Sequence, residues 1–343
     1  MEVTLIKILQ SVRGIAAIAV AAYHLTFSMP GKPLEWLTQR GYLGVDLFFV
    51  LSGFIILHVH AADVGVPSAW SSYIRKRIAR VYPLYWAVTI AMIAGGVIGA
   101  GHKRIPTAWV DWITTLSLIR FSDYLAPLPP AWTLYHEIAF YLIFSILVVN
   151  RRIGMAFFVI WASLILLLFS YPDHDHPTFL GTFLGAYNLN FIFGMSAYLA
   201  CDRLAPRAAK GILVLGVLAF FVLAYADVSG YWTNALRPGY GVSLAAMLAG
   251  AVRLEKLSNG LRLGVLVFLG DASYSIYLMH ESLESRCQKW ITQLVGTHAP
   301  VSLTYSIILV TAVLVACVLH QVVEKPLLSG CRTLLLPRPV IGK

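Results

Sequence analysis

The chain has 343 residues, 59% of them apolar and 12% charged, with a formal charge of +10 and a mean hydropathy of +0.75. Soluble domains carry about 45–50% apolar and about 25% charged residues, so a disordered chain, a disulfide miniprotein and almost any soluble enzyme are excluded. The basic excess reads first as cytoplasmic loops of a membrane protein, and no soluble basic face points to a nucleic-acid partner.

A membrane-crossing helix needs about 20 mostly apolar residues. In chain order the apolar runs predict about ten spans, at roughly 6–27, 43–60, 81–101, 134–149, 153–170, 179–199, 210–226, 238–252, 264–284 and 302–322. None alternates as a barrel strand would, so the fold class is an all-α polytopic membrane protein, with one domain over 1–343. The first run holds Arg13 and His24 and reads as a retained span rather than a cleaved leader. The longest connection, 102–133, holds an amphipathic stretch from Trp109 to Ile119, read as an interfacial or re-entrant helix. With a cytoplasmic N-terminus, roughly 18 of the 26 basic residues fall on the inner side. Both termini are therefore expected in the cytoplasm.

Ionisable groups within spans are costly and need a reason. Arg13 and His24 are eleven residues apart, about 20° past three helical turns, so they share a face about 16 Å apart along the axis. Such a pair can line a path across the bilayer. The plainer alternative is that Arg13 snorkels to the inner headgroups and His24 serves a helix contact. In the run Gly44 to Phe54, close helix packing explains Gly44, Ser52 and Gly53 but not Asp46, which needs a buried partner or an aqueous cleft.

Arg77 and Arg80, three apart, share a helix face at the inner boundary. Positive-inside decoration is one reading. A phosphate site is the other, because arginine's planar fork suits phosphate oxygens. Glu137 enters the fourth span one residue after His136. It is either an acid favoured by the helix start or the group that orients a histidine. Gly270 to Glu281 interleaves Ser273, Tyr274 and Ser275 with aromatics and ends in His280-Glu281, either an interior packing helix or a contact for an acceptor. Asp173-His174-Asp175-His176 mimics a metal cluster, but adjacent ligands on a short loop are weak, and no metal is expected. Cys201, Cys287, Cys317 and Cys331 share no metal spacing and read as inert fillers.

In order along the chain, these motifs resemble acyltransferase family three, integral-membrane enzymes that acylate carbohydrates and other extracytoplasmic acceptors. The resemblance covers nearly the whole chain. Arg13 with His24 is similar to the family's arginine–histidine pair, and Gly44 to Phe54 to its second-helix signature. Arg77, Arg80 and Pro83 resemble its arginine motif, and Trp132, Leu134 and Glu137 its tryptophan–leucine–glutamate motif. Ser273, Tyr274 and His280 resemble its serine–tyrosine-to-histidine segment, and Glu324-Lys325-Pro326 its ending after the last helix. His136 stands where many members have a second acid. Many also continue into an esterase-like domain, so this compact, exopolysaccharide-type chain is expected to lack a second step by such a domain.

The resemblance implies acetyl-coenzyme A, or another acyl-coenzyme A, as cytoplasmic co-substrate, without a metal. It implies a hydroxyl acceptor on an extracytoplasmic sugar, exopolysaccharide or lipid-linked oligosaccharide. His24 is then the catalytic base, oriented by Glu137, or the carrier of an acyl-histidine intermediate. Arg13, Arg77 and Arg80 are expected to bind the donor, and Asp46, Ser273, Tyr274 and His280 to support the acceptor. The remaining partner is the lipid bilayer of a bacterial cytoplasmic membrane, with further copies of the chain as an option. A transporter of a sugar or lipid-linked intermediate is the alternative class, but no paired broken helices in two related halves are visible. A membrane scaffold is a third, and it leaves Asp46 and Glu137 unexplained.

Overall fold

The computed structural model describes residues 6–98, 104–168, 177–227, 236–257, 264–295 and 299–336. The described residues hold helices and no strand. Helices lie over each of the ten predicted segments. Seven helical stretches are long and apolar enough to cross a membrane: Lys7–Ser28, Glu35–Asp63, Pro67–Val97, Pro129–Val149, Arg151–Leu168, Pro206–Ala226 and Val301–Leu335. The chain is an all-α polytopic membrane protein. The other three predicted segments miss that standard for visible reasons. One is divided into Phe179–Phe183 and the 14-residue Asn188–Cys201. Arg237–Leu257 carries four charges, and Ser273–Val295 is rich in charged and polar residues.

The chain divides into two compact units. The first, residues 1–59 and 186–317, contains α1 (Lys7–Ser28), α2 (Glu35–Thr38), α3 (Leu43–His60), α9 (Asn188–Cys201), α10 (Pro206–Ala226), α11 (Arg237–Leu257), α12 (Gly264–Asp271), α13 (Ser273–Val295) and most of α14 (Val301–Leu319). The first amides of a helix have no partner within it. In α1 the carboxylate of Glu255 takes two of them, Lys7 N at 2.8 Å and Ile8 N at 2.9 Å. This ties the start of α1 to the end of α11. Gly53 on α3 and Gly194 on α9 are a reciprocal pair. A Cβ at Gly53 would collide with the Phe191 carbonyl, and one at Gly194 with the Val50 carbonyl. Their backbones therefore meet as small residues allow. Gly14 and Gly270 admit a similarly close approach of α1 and α12.

The second unit, residues 60–185 and 318–343, contains α4 (Trp70–Val97), α5 (Trp109–Ser117), α6 (Trp132–Val149), α7 (Arg151–Leu168), α8 (Phe179–Phe183) and α15 (Lys325–Leu335). Helix α4 begins 11 residues before the predicted span at 81, so Arg75 to Arg80 and Pro83 all lie on one continuous helix. The predicted amphipathic stretch is α5. Its last carbonyls would be orphaned at a helix end. Four aromatic side chains donate to them: Tyr135 Oη to Thr114 O at 3.3 Å, Tyr85 Oη to Thr115 O at 2.7 Å, Trp86 Nε1 to Leu116 O at 2.9 Å and Tyr82 Oη to Ser117 O at 2.6 Å. These bonds pin α5 onto α4 and α6. All four cysteines are free.

Candidate active site

In the first unit, α1 and α13 bring His24 and His280 together, with ring centroids 5.0 Å apart. Glu281 joins them. Its Oε1 stands 3.8 Å from His24 Nδ1 and 4.0 Å from His280 Nε2. His280 is buried, and its Nδ1–H donates to the Tyr277 carbonyl at 2.6 Å. That bond fixes the tautomer, so Nε2 presents a lone pair toward His24 and Glu281. His24 is 42% exposed at its side chain. Arg13, half-buried on the same helix, donates to Gln10 Oε1 at 3.2 Å. Ser273, fully buried, starts α13, and Tyr274 beside it is half-buried.

Asp46 is fully buried, and α9 and α11 supply its partners. Asn190 Nδ2 donates to its Oδ1 at 2.8 Å, and Arg237 Nη1 donates to the same oxygen at 3.1 Å. The Arg237 guanidinium also lies 3.6 Å from the centroid of the Tyr187 ring. Arg237 is itself buried, at the start of α11. This arrangement connects three helices and gives Asp46 a structural reason for its position.

In the second unit the arginine motif is held by a chain of polar groups. The His60 Nδ1–H donates to Asp63 Oδ2 at 2.7 Å, so His60 Nε2 accepts from Arg77 Nη2 at 3.2 Å. Arg77 also lies over the Tyr141 ring, 5.5 Å from its centroid, and the Tyr141 hydroxyl donates to Glu137. Arg80 Nη1 donates to Glu324 Oε1 at 3.3 Å, and Glu324 Oε2 accepts from His320 Nδ1 at 2.7 Å. Glu324 is fully buried at the end of a π-wound turn, His320–Glu324. Such local widening of a helix is frequent at functional positions. The arginine motif and the chain's final motif are thus partners. His136 packs edge-on to Trp132, and a Cβ at Gly185 would strike its ring, so it serves packing.

Sequence reading missed Tyr141, His60 and Asp63, although their spacings carry a signal. Glu137 with Tyr141 is an i,i+4 pair, and His60 with Asp63 an i,i+3 pair. The Arg237–Asp46 pair, 191 residues apart, leaves no such signal. The Asp173–His176 loop lies outside the described residues.

The acyltransferase domain family matches residues 6–321. The exopolysaccharide production protein ExoZ of Rhizobium meliloti is 27% identical over 307 residues, covering 85% of this chain and 91% of its own length. A putative O-acetyltransferase of Staphylococcus aureus is 27% identical over 316 residues, and the match covers 79% of this chain and 49% of that protein. The chain therefore spans about half the length of that relative. A putative acetyltransferase of Acidianus two-tailed virus is 28% identical over 291 residues, covering 79% of this chain and 81% of its own. No solved structure matches. With the motifs in order, an all-helical membrane frame and a family match over nearly its full length, the chain belongs to the acyltransferase domain family.

Proposed function

We propose that this acyltransferase moves an acyl group, acetyl in the simplest case, from cytoplasmic acyl-coenzyme A to a hydroxyl of an extracytoplasmic exopolysaccharide or lipid-linked oligosaccharide. The membrane is that of a bacterial cell, crossed several times, with both termini inside. The observation that carries this reading is His24. It is an accessible imidazole on an apolar helix, beside a carboxylate, on the same face as an arginine about 16 Å away along the axis. The names of the relatives, exopolysaccharide production and O-acetyl transfer, support the acceptor class and the group transferred.

In this mechanism His24 Nε2 takes the proton from the acceptor hydroxyl as its oxygen attacks the thioester carbonyl. The carbon–sulfur bond breaks, and the coenzyme A thiolate takes the proton from the imidazolium. A carboxylate facing Nδ1 keeps the lone pair on Nε2 and stabilises the imidazolium. Glu281, 3.8 Å from Nδ1, supports that role by distance, and a small closure brings it to hydrogen-bond length. Glu137 supports it by motif. Arg13, Arg77 and Arg80 are the proposed phosphate contacts of the donor, and Glu324 holds Arg80 in one orientation. Ser273, Tyr274 and His280 are proposed to support the acceptor.

The test is mass spectrometry of cell-surface glycans with and without the protein. A mass increase of one acyl group per modified sugar, dependent on the protein, is expected. Identical glycans in both strains would overturn the acceptor class.

A further inference from the structure

We propose that His24, His280 and Glu281 also form a binding site for one divalent transition-metal ion of the zinc class, and that the bound ion turns acyl transfer off. The binding half stands on geometry alone. The inhibitory half rests on the reading of His24 as the base.

One ligand atom from each residue lies within 4.8 Å of the other two. Two imidazoles and one carboxylate are a donor set that zinc accepts, leaving a fourth position for water. Imidazole ligands select against magnesium and calcium. His280 has the features of a metal ligand. Its Nδ1–H is engaged by the Tyr277 carbonyl, as the second nitrogen of a ligating histidine usually is. Its Nε2 is buried and has no hydrogen-bond partner among the described residues. A buried acceptor without a donor is costly, and a bound cation would satisfy it.

A second observation agrees. Glu284 lies one turn beyond His280 on the same face of α13. It is buried, and its Oε1 also has no hydrogen-bond partner among the described residues. That oxygen is a second unsatisfied buried polar atom on that face of α13. A four-coordinate zinc with bonds of about 2.0–2.1 Å sets its ligand atoms about 3.3 Å apart. The three residues must therefore close by roughly an ångström. His24 and Glu281 can do so by side-chain rotation, since they are 42% and 32% exposed, while His280 stays fixed. An ion there takes the imidazole lone pair or holds the ring away from an acceptor hydroxyl. Base catalysis then stops.

The experiment uses the full chain in detergent, stripped of metal and carrying a tag without histidine. Cobalt(II) is titrated as the spectroscopic probe and then displaced with zinc. One ion per chain is expected, with a visible cobalt band. His280→Ala and Glu281→Gln should each weaken binding at least tenfold. Glu281→Gln is close in shape and part-exposed, so it decides the matter if His280→Ala does not fold. The double variant His174→Ala/His176→Ala should keep the ion. No ion, unchanged affinity in the first two variants, or loss in the loop variant would overturn the site. Stoichiometric zinc should abolish acyl transfer and a chelator restore it, whereas activation by zinc would overturn the inhibitory half. If His24→Ala retained acyl transfer while wild type still bound cobalt, the base reading would fail and the metal site would stand. If cobalt failed to bind while His24→Ala was inactive, the reverse would hold.

Discussion

Asp46 and Arg237 are an ion pair sealed inside the first unit, with Nη1 and Oδ1 3.1 Å apart and side chains no more than 2% exposed. Removing one member leaves a buried charge, which typically costs about 3–5 kcal/mol. Asp46→Ala should therefore sharply reduce folded protein, measured as thermal unfolding in detergent. The double variant Asp46→Leu/Arg237→Leu should recover part of that loss. A single variant as stable as wild type would contradict a sealed pair.

The Gly53–Gly194 crossing predicts intolerance of a single methyl group. Gly53→Ala and Gly194→Ala should both lower the yield of folded protein, because each Cβ would press on a backbone carbonyl. Gly95→Ala is the internal comparison. Nothing lies within 4 Å of its Cβ position, so that variant should behave as wild type.

The aromatic donors on α5 predict a graded effect. Tyr85→Phe keeps the ring and removes only the hydroxyl that serves Thr115 O. A lost hydrogen bond to a buried carbonyl costs about 1–3 kcal/mol. The change should appear as a lower unfolding temperature and as faster proteolysis between α4 and α6. Trp86, which serves Leu116 O from a more exposed position, should matter less.

Glu324 predicts a split in kinetic constants. If it positions Arg80 for a phosphate, Glu324→Gln should raise the KM for acyl-coenzyme A several-fold while leaving the KM for acceptor near wild type. Arg80→Lys should do the same more strongly, because a point charge does not replace the fork. Equal changes in both KM values would indicate a structural ion pair without a donor role.

Much of this molecule is readable from sequence because hydrophobic runs and polar exceptions are local signals. The helical class followed from run length, and the unusual residues Arg13, His24, Asp46, Glu137 and His280 stood out against an apolar background. Edges were harder. The start of α4 was missed because Arg75 to Arg80 is too polar for a hydropathy window but well suited to a helix. The divided segment 179–199 read as one run because its break at 184–187 contains no strong breaker apart from Gly185. Partners far apart in the chain, such as Asp46 with Arg237 and Arg80 with Glu324, were invisible because nothing local ties them. The proximity of Glu281 to His24 has the same cause. The sequence marked both residues but not the packing of α1 against α13.

The proton-accepting role of His24 is tested by the rate of label transfer from acetyl-coenzyme A to acceptor glycan in membranes carrying wild type or His24→Ala at equal folded amounts. A fall of at least about 100-fold is expected, in line with the usual contribution of a general base. A rate near wild type for His24→Ala would contradict it.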